Sequence, residues 1–307
     1  MITDTHCHLV PRCFPATAPN GLMQTLARDA HAAGVQCICA VSETADDMTT
    51  LVATYGPKKD HGQAGTAGHP KAARVLVFGG LHPVQLMSAD EARAITAENP
   101  MRNPRVRPVS WTDWTAAEPL LTNLARTGQL AGSGEIGLDY TPYVLVGHPH
   151  GPDAAKSDQL CMLDAHLAIA STHNLPVTVH SRSAGKYALA ATDKYPHVRV
   201  AMHTFDGAPG KSAVPALAWR DKLWFSIPPS VCQPGSAFRK LVDLVPLSAL
   251  LVESDAPALA PEVGDEYNIP ANAARVVLEI AAIKGVPVEE AEKVLEENTR
   301  RWLGVLG

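Results

Sequence analysis

Pro176-Val-Thr-Val-His180 and Val198-Arg-Val-Ala-Met-His203 are short apolar runs, each closed by a histidine. Between them, Ser183 to Tyr195 carries apolar residues at helical spacing. Strand, helix and strand in that order make a parallel βαβ unit. The rhythm continues with a helix over Lys211 to Arg220, a strand Leu223-Trp-Phe-Ser-Ile227 and a helix over Ser236 to Val245. A strand Leu250-Leu-Val-Glu-Ser-Asp255 and two helical patterns, Pro270 to Lys284 and Pro287 to Leu303, follow.

Toward the start of the chain the same alternation appears with interruptions. Met1-Ile-Thr-Asp-Thr-His-Cys-His-Leu9, Val35 to Val41, Arg74 to Gly79 and Gln129 to Ile136 read as strands. Gly21 to Ala33, Thr44 to Tyr55, Thr112 to Thr127 and Ser157 to His173 read as helices, with Gly34 placed to stop the first. Gly56 to Ala73 lacks periodicity and reads as an inserted loop between a helix and the next strand, hence on the face away from the strand ends. Ala89 to Glu98 suits a short helix, while Pro100, Pro104 and Pro108 rule out a continuous helix over Asn99 to Ser110. Thr141 to Pro152 is a further Pro/Gly loop. Eight strand-like segments alternating with helices predict an α/β fold, a (β/α)8 TIM barrel forming a single domain over residues 1–307 with loop insertions. An open doubly wound sheet is disfavoured, because no Gly-rich phosphate fingerprint follows the first strand.

The net charge is −5, and no basic tract or charge block is present. Composition therefore gives no support for a nucleic-acid-coating surface, although a nuclease that meets phosphate through bound cations remains open. Six scattered cysteines contain no CxxC, which disfavours thiolate zinc and redox motifs and points to a reduced intracellular protein. No run approaches the length of a membrane span and the first strand starts at Met1, so a cytoplasmic location is expected, a nuclear one being open.

The chemistry-bearing residues collect where a barrel places its active site, at the C-terminal ends of strands. On the first strand His6 and His8 project to one face while Cys7 points away. Glu135 ends the fourth strand, His180 the fifth, His203 the sixth and Asp255 the eighth. Four imidazoles and two carboxylates are enough to hold two divalent ions that share a bridging carboxylate.

With those positions in hand, the chain resembles the TatD family of metal-dependent hydrolases within the amidohydrolase-like barrels. The resemblance rests on Asp4-Thr-His-Cys-His8, Gly80-Leu-His-Pro83, Gly134-Glu-Ile-Gly-Leu-Asp-Tyr140, His180-Ser-Arg182, His203-Thr-Phe-Asp-Gly207 and Glu253-Ser-Asp-Ala-Pro257, with Asn268-Ile-Pro270 and Asn298 in support. It implies that His6, His8 and Asp255 hold one metal, His180 and His203 the other, and Glu135 both. It implies phosphodiester hydrolysis, as a 3′-to-5′ exonuclease acting on DNA. Catalytic roles fall to Glu135 and to Asp255, the candidate general base for a metal-activated water. The ions are Mg, Mn or Zn: ligand softness favours the transition metals, the resemblance favours magnesium. Two departures stand out: Ala258 replaces a substrate-side aromatic and Ser183 stands where an acid is usual. A small-molecule amidohydrolase or lactonase, and a non-catalytic interaction protein with a relic site, are the competing readings.

Several neighbours complete the expectations. His82 and Arg182 are candidates to bind substrate phosphate, with a turn residue and a salt bridge as their plainer roles. Asp4, Asp139 and Glu253 are expected behind the ligands, Asp4 sharing a face with His6 and Glu253 with Asp255. His148 and His150 lie in a Pro/Gly loop and read as solvent-facing; His166, His173 and His197 read as surface or packing residues. Asp158 reads as a cap for the long helix. The Asn99–Ser110 and Thr141–Pro152 loops leave strand ends and are expected to overhang the site.

Overall fold

The computed structural model describes residues 1–57, 72–87, 105–218 and 220–305. Eight strands form one parallel sheet in chain order: β1 Ile2–Cys7, β2 Val35–Val41, β3 Arg74–Gly79, β4 Gly132–Gly137, β5 Val177–His180, β6 Val200–His203, β7 Leu223–Ile227 and β8 Leu250–Val252. The sheet closes on itself just past the ends of β8 and β1. Asp255 N–H donates to His6 O at 2.9 Å and His8 N–H to Ala256 O at 2.9 Å. The result is the predicted (β/α)8 barrel.

Inside the barrel the side chains lie in layers, as the period of two along each strand requires. Phe78, Ala201, Trp224 and Leu251 form a dry lower layer with Trp302. Trp302 stacks on Phe78 at 5.3 Å between centroids and donates from Nε1 to Val177 O at 3.3 Å, so the last helix, Val288–Leu303, plugs the N-terminal mouth. Two residues further along their strands, His203 follows Ala201 and Glu253 follows Leu251. The apolar floor thereby sets the height of the polar site above it. The glycines of β4 make room for this filling: a Cβ on Gly132 would meet Phe78 at 2.0 Å, and one on Gly134 would meet Thr178 Oγ1 at 2.0 Å.

Helices pack outside, with their starts fixed by local chemistry. Thr44 caps Ala45–Tyr55 and Ser110 caps Trp111–Arg126, each in a reciprocal capping box with an aspartate three residues on. The helix expected from Ser157 instead spans Pro152–Thr172, with Pro152 in its first turn. Proline is well suited to that position, because its missing N–H has no partner to lose there. Asp158 is therefore not a cap; its carboxylate accepts from Trp111 Nε1 at 3.2 Å and lies 3.1 Å from His148 Nε2. His148 is accordingly buried against Asp158 rather than solvent-facing, while His150 is exposed.

The expected helix over Ala89–Glu98 lies outside the described residues, as do most of the Gly56–Ala73 insertion and the first part of Asn99–Ser110. The last part of Asn99–Ser110 holds a short strand instead of a loop. Val106–Pro108 pairs antiparallel with Val84–Leu86, giving a two-stranded ribbon beyond the end of β3. The helix expected over Lys211–Arg220 is shorter, a wide turn Pro209–Ala213 followed by Val214–Leu217. All six cysteines are free, and among the described residues no helix is long and apolar enough to cross a membrane.

His166 is a packing residue with a defined proton position. Leu81 N–H donates to its Nε2 at 3.1 Å, so Nδ1 carries the hydrogen given to Met162 O at 2.7 Å. Burial pushes this imidazole down to about 4, only partly offset by the Met162 carbonyl. A depressed folded pKa means the unfolded chain takes up the proton first as pH falls. Stability contributed by neutral His166 is thus intact above about 6.5 and is lost between there and about 4, roughly 3 kcal/mol in all. His166→Gln should lower stability at neutral pH yet flatten its decline toward pH 4.5, measured by urea denaturation. An unchanged slope in the variant would contradict the assignment.

Candidate metal centre

Seven strand ends and the loops just beyond them converge at the C-terminal mouth. The carboxylate of Glu135 sits in the middle, and its two oxygens face different histidines. Oε2 lies 3.5 Å from His6 Nε2 and 3.4 Å from His8 Nε2. Oε1 lies 2.8 Å from His180 Nδ1, 3.5 Å from His203 Nε2 and 3.3 Å from His82 Nε2. Asp255 closes the ring: Oδ1 is 3.4 Å from His8 Nε2 and 3.8 Å from both His6 Nε2 and His203 Nε2. All the expected ligands are therefore in one buried cluster.

Backbone geometry at the strand ends differs from simple alternation. β8 stops at Val252, and Asp255 has φ 52°, in the left-handed region that non-glycine residues rarely enter. Ser183 and Thr204, just past β5 and β6, also have positive φ. Such conformations persist where surrounding bonds over-determine them. Here Asp4 accepts from Ser254 N–H at 2.8 Å, Ser254 Oγ–H at 2.6 Å and His6 N–H at 3.3 Å. Asn268 Nδ2 brackets the same turn, donating to Ser254 O at 2.6 Å and Ala258 O at 2.8 Å. Asp4 thus holds the turn that carries Asp255 and touches no ligand imidazole. Burial pushes its carboxyl up to about 8 against those hydrogen bonds.

Two other acids do meet the imidazoles. Glu253 Oε2 lies 3.0 Å from His203 Nδ1 while its Oε1 accepts from Thr204 N–H and Oγ–H. Asp139 Oδ2 lies 3.3 Å from His180 Nε2 and its Oδ1 accepts from Thr141 N–H at 2.9 Å. His82 lies closer to the cluster than a substrate-facing role predicts. Its Nδ1 is engaged with Val84 and its Nε2 meets Glu135, with its ring 4.6 Å from that of His180. Arg182 is exposed at the rim, drawn toward Asp139 and Tyr143.

One participant has no counterpart in the sequence reading. Glu43, two residues beyond β2, lies with Oε1 3.4 Å from His8 Nδ1 and with Oε2 accepting from Arg12 at 2.7 Å. The signal was available, since β2 also ends in an acid.

Buried carboxylates and imidazoles set the electrostatics of the cluster. Glu135 resists protonation despite complete burial, because His82, His6, His180 and His203 hold it well below the usual carboxylate range. Asp255 is lowered in the same way by His203, His8 and His6, against its burial. Burial also opposes charge on His8 and His203, but Asp255, Glu43, Glu135 and Glu253 outweigh it and raise them to about 9 and about 10. Protons on imidazoles thus supply the positive charge that these carboxylates demand. His6 is the exception: burial and neighbouring His203 lower it, so it stays neutral. Among the described residues both its buried ring nitrogens lack a hydrogen-bond partner, an expensive state unless another group takes the lone pair. With cations in place of those protons, the imidazoles and ionised carboxylates of this closed cluster form a donor set that fits divalent ions.

Comparison with known proteins gives the family of the chain. The sequence profile of the family described as TatD related DNase matches residues 3–304. The chain is 31% identical over 300 residues to a putative deoxyribonuclease TATDN3 of Mus musculus, covering 98% of this chain and 87% of that protein. It is 30% identical to the deoxyribonuclease TATDN3 of Homo sapiens, covering 97% and 92% respectively. The crystal structure of YJJV, a TatD homologue from Escherichia coli, superposes with TM-score 0.71 at 22% identity over 99% of this chain and 98% of that one, which supports the barrel architecture. Matched from its third residue almost to its end, with two relatives at this level of identity along its length, the chain belongs to the TatD-related DNase family.

Proposed function

We propose that this protein is a metal-dependent phosphodiesterase that removes nucleotides from the 3′ end of DNA, built as one catalytic domain around a two-metal centre. The observation that carries the reading is the placement of Glu135, whose two oxygens face separate histidine sets at 2.8 to 3.5 Å. In this reading His6, His8 and Asp255 would hold one ion, His180 and His203 the other, and Glu135 would serve both. Divalent ions at these positions would supply the charge that polarises a phosphoryl oxygen and acidifies water.

The side chains have separable tasks. Asp255 Oδ1, ionised and facing the cluster, accepts the proton of the attacking water. Glu253 and Asp139 fix the ring orientations of His203 and His180 from behind and keep each presenting a lone pair. The Arg182 guanidinium carries the positive side of the mouth toward an entering phosphate, with His82 behind it against Glu135. Glu253→Gln should weaken metal affinity by about 10- to 100-fold, the usual effect of removing such an orienting carboxylate. Competition against a chromogenic chelator measures it, and unchanged affinity would remove Glu253 from this role.

The test of function is incubation with 3′-labelled single- and double-stranded DNA in Mg, Mn or Zn. Progressive release of labelled nucleotide that stops with chelator is expected. No cleavage with any of the ions would reject the reading in favour of lactone or amide hydrolysis on the same barrel.

A further inference from the structure

Beyond the rim of the metal centre, where the chain leaves β4 and β5, runs an open groove of about 770 Å³. Tyr140 and Tyr187 line it, with ring centroids 5.4 Å apart and planes tilted by 53°. Lys156 stands 5.9 Å from the Tyr140 centroid and Lys186 4.7 Å from that of Tyr187. Tyr187 is 48% exposed, and Tyr143, 45% exposed, stands beside Arg182. The groove adjoins the site along the chain: Tyr140 follows Asp139 and donates its N–H to Arg182 O at 3.0 Å, and Ser183 follows Arg182.

This concentration of tyrosine and cations stands out in a chain of net charge −5 with 5% aromatic residues. The acids nearby are already engaged. Asp139 meets His180 and Thr141, Asp206 accepts from Ser183 N–H, and Asp153 is a fully exposed partner of Lys156, a pairing worth little in water. Tyr140 is half-buried with one side against the core, whereas Tyr187 is exposed in the groove, and an aromatic face flanked by cations matches one ligand chemistry closely. Nucleobases stack on such rings while their phosphates meet the cations, without regard to base identity.

We infer that Tyr140 and Tyr187, with Lys156 and Lys186, form a stacking track for unpaired nucleotides of a single strand whose end lies at the metal centre. The inference rests on the proposed nuclease reading and deepens it: it assigns the residues that hold the strand next to its cleaved end. A duplex keeps its bases stacked on one another and cannot offer them to these rings.

The test separates binding from turnover. Affinity for a fluorescent oligothymidylate is measured by anisotropy on the metal-free full-length protein, alongside kcat/KM on the oligonucleotide and on bis(p-nitrophenyl) phosphate with metal. Tyr187 is exposed on the helix Gly185–Thr192, so Tyr187→Ala should fold. It should lose about tenfold in oligonucleotide affinity, as expected for one stacked base. Its kcat/KM should fall at least tenfold further on the oligonucleotide than on the small diester. Tyr187→Phe should recover both, and an abasic strand of the same length should bind wild type and Tyr187→Ala equally. Equal oligothymidylate affinity for wild type and Tyr187→Ala overturns the track even if DNA is cleaved. A track that binds in the tyrosine-dependent way without cleavage leaves it standing and rejects the nuclease reading instead.

Discussion

Glu135→Ala should purify as a folded barrel that has lost both its metal ions and its turnover. The carboxylate is the one group facing every histidine of the cluster, at 2.8 to 3.5 Å from His6, His8, His82, His180 and His203. Its removal takes an anion from among imidazoles that are neutralised by it, so the remaining rings repel any cation that enters. Several kcal/mol of transition-state stabilisation depend on bound ions, and at about tenfold per 1.4 kcal/mol the loss is on the order of 10³-fold or more. Metal content by mass spectrometry and kcat/KM on labelled DNA should fall together. The fold should survive, because the strand is held by its neighbours and the lower barrel layer around Phe78 and Trp302 is untouched. Full turnover in metal-replete buffer would reject the bridging role.

Asp255→Asn separates catalysis from binding more finely. The amide keeps the size of the side chain and its backbone N–H bond to His6 O at 2.9 Å. It removes the charge that helps hold His8 and His203 protonated in the free protein, and it removes the acceptor for a proton. General-base assistance contributes about 10²- to 10⁴-fold, so kcat should drop by that range, with metal affinity reduced less than in Glu135→Ala. The pH–rate profile should lose its acidic limb, since the group that must be ionised is gone. A variant whose kcat stays within tenfold of wild type would assign the base to another residue.

Much of this site was legible because two regularities coincide. Strands alternate their side chains, and barrels gather chemistry at the C-terminal ends, so His6, His8, Glu135, His180, His203 and Asp255 could be placed together without coordinates. Residues whose position depends on loop geometry were harder to read. Asp255 lies three residues past β8 in a left-handed conformation that nothing in Glu-Ser-Asp announces. His82 turns inward because its Nδ1 is tied to Val84 at 2.9 Å, a contact set by the ribbon. That ribbon has only three residues in each strand and a proline in one, below what alternation can signal. Glu43 lies two residues past Val41, in the turn beyond β2, where the alternation of the strand no longer points to it. The early start of the helix at Pro152 was signalled by proline itself, yet its surroundings of glycine and histidine read as loop.

The central claim is that Glu135 joins two ions in one centre, and manganese tests it directly. Metal-free protein titrated with Mn²⁺ should bind two ions per chain and give the electron paramagnetic resonance signature of an exchange-coupled pair, absent from Glu135→Ala. Saturation at a single ion, or two ions with isolated-ion spectra, would contradict the account.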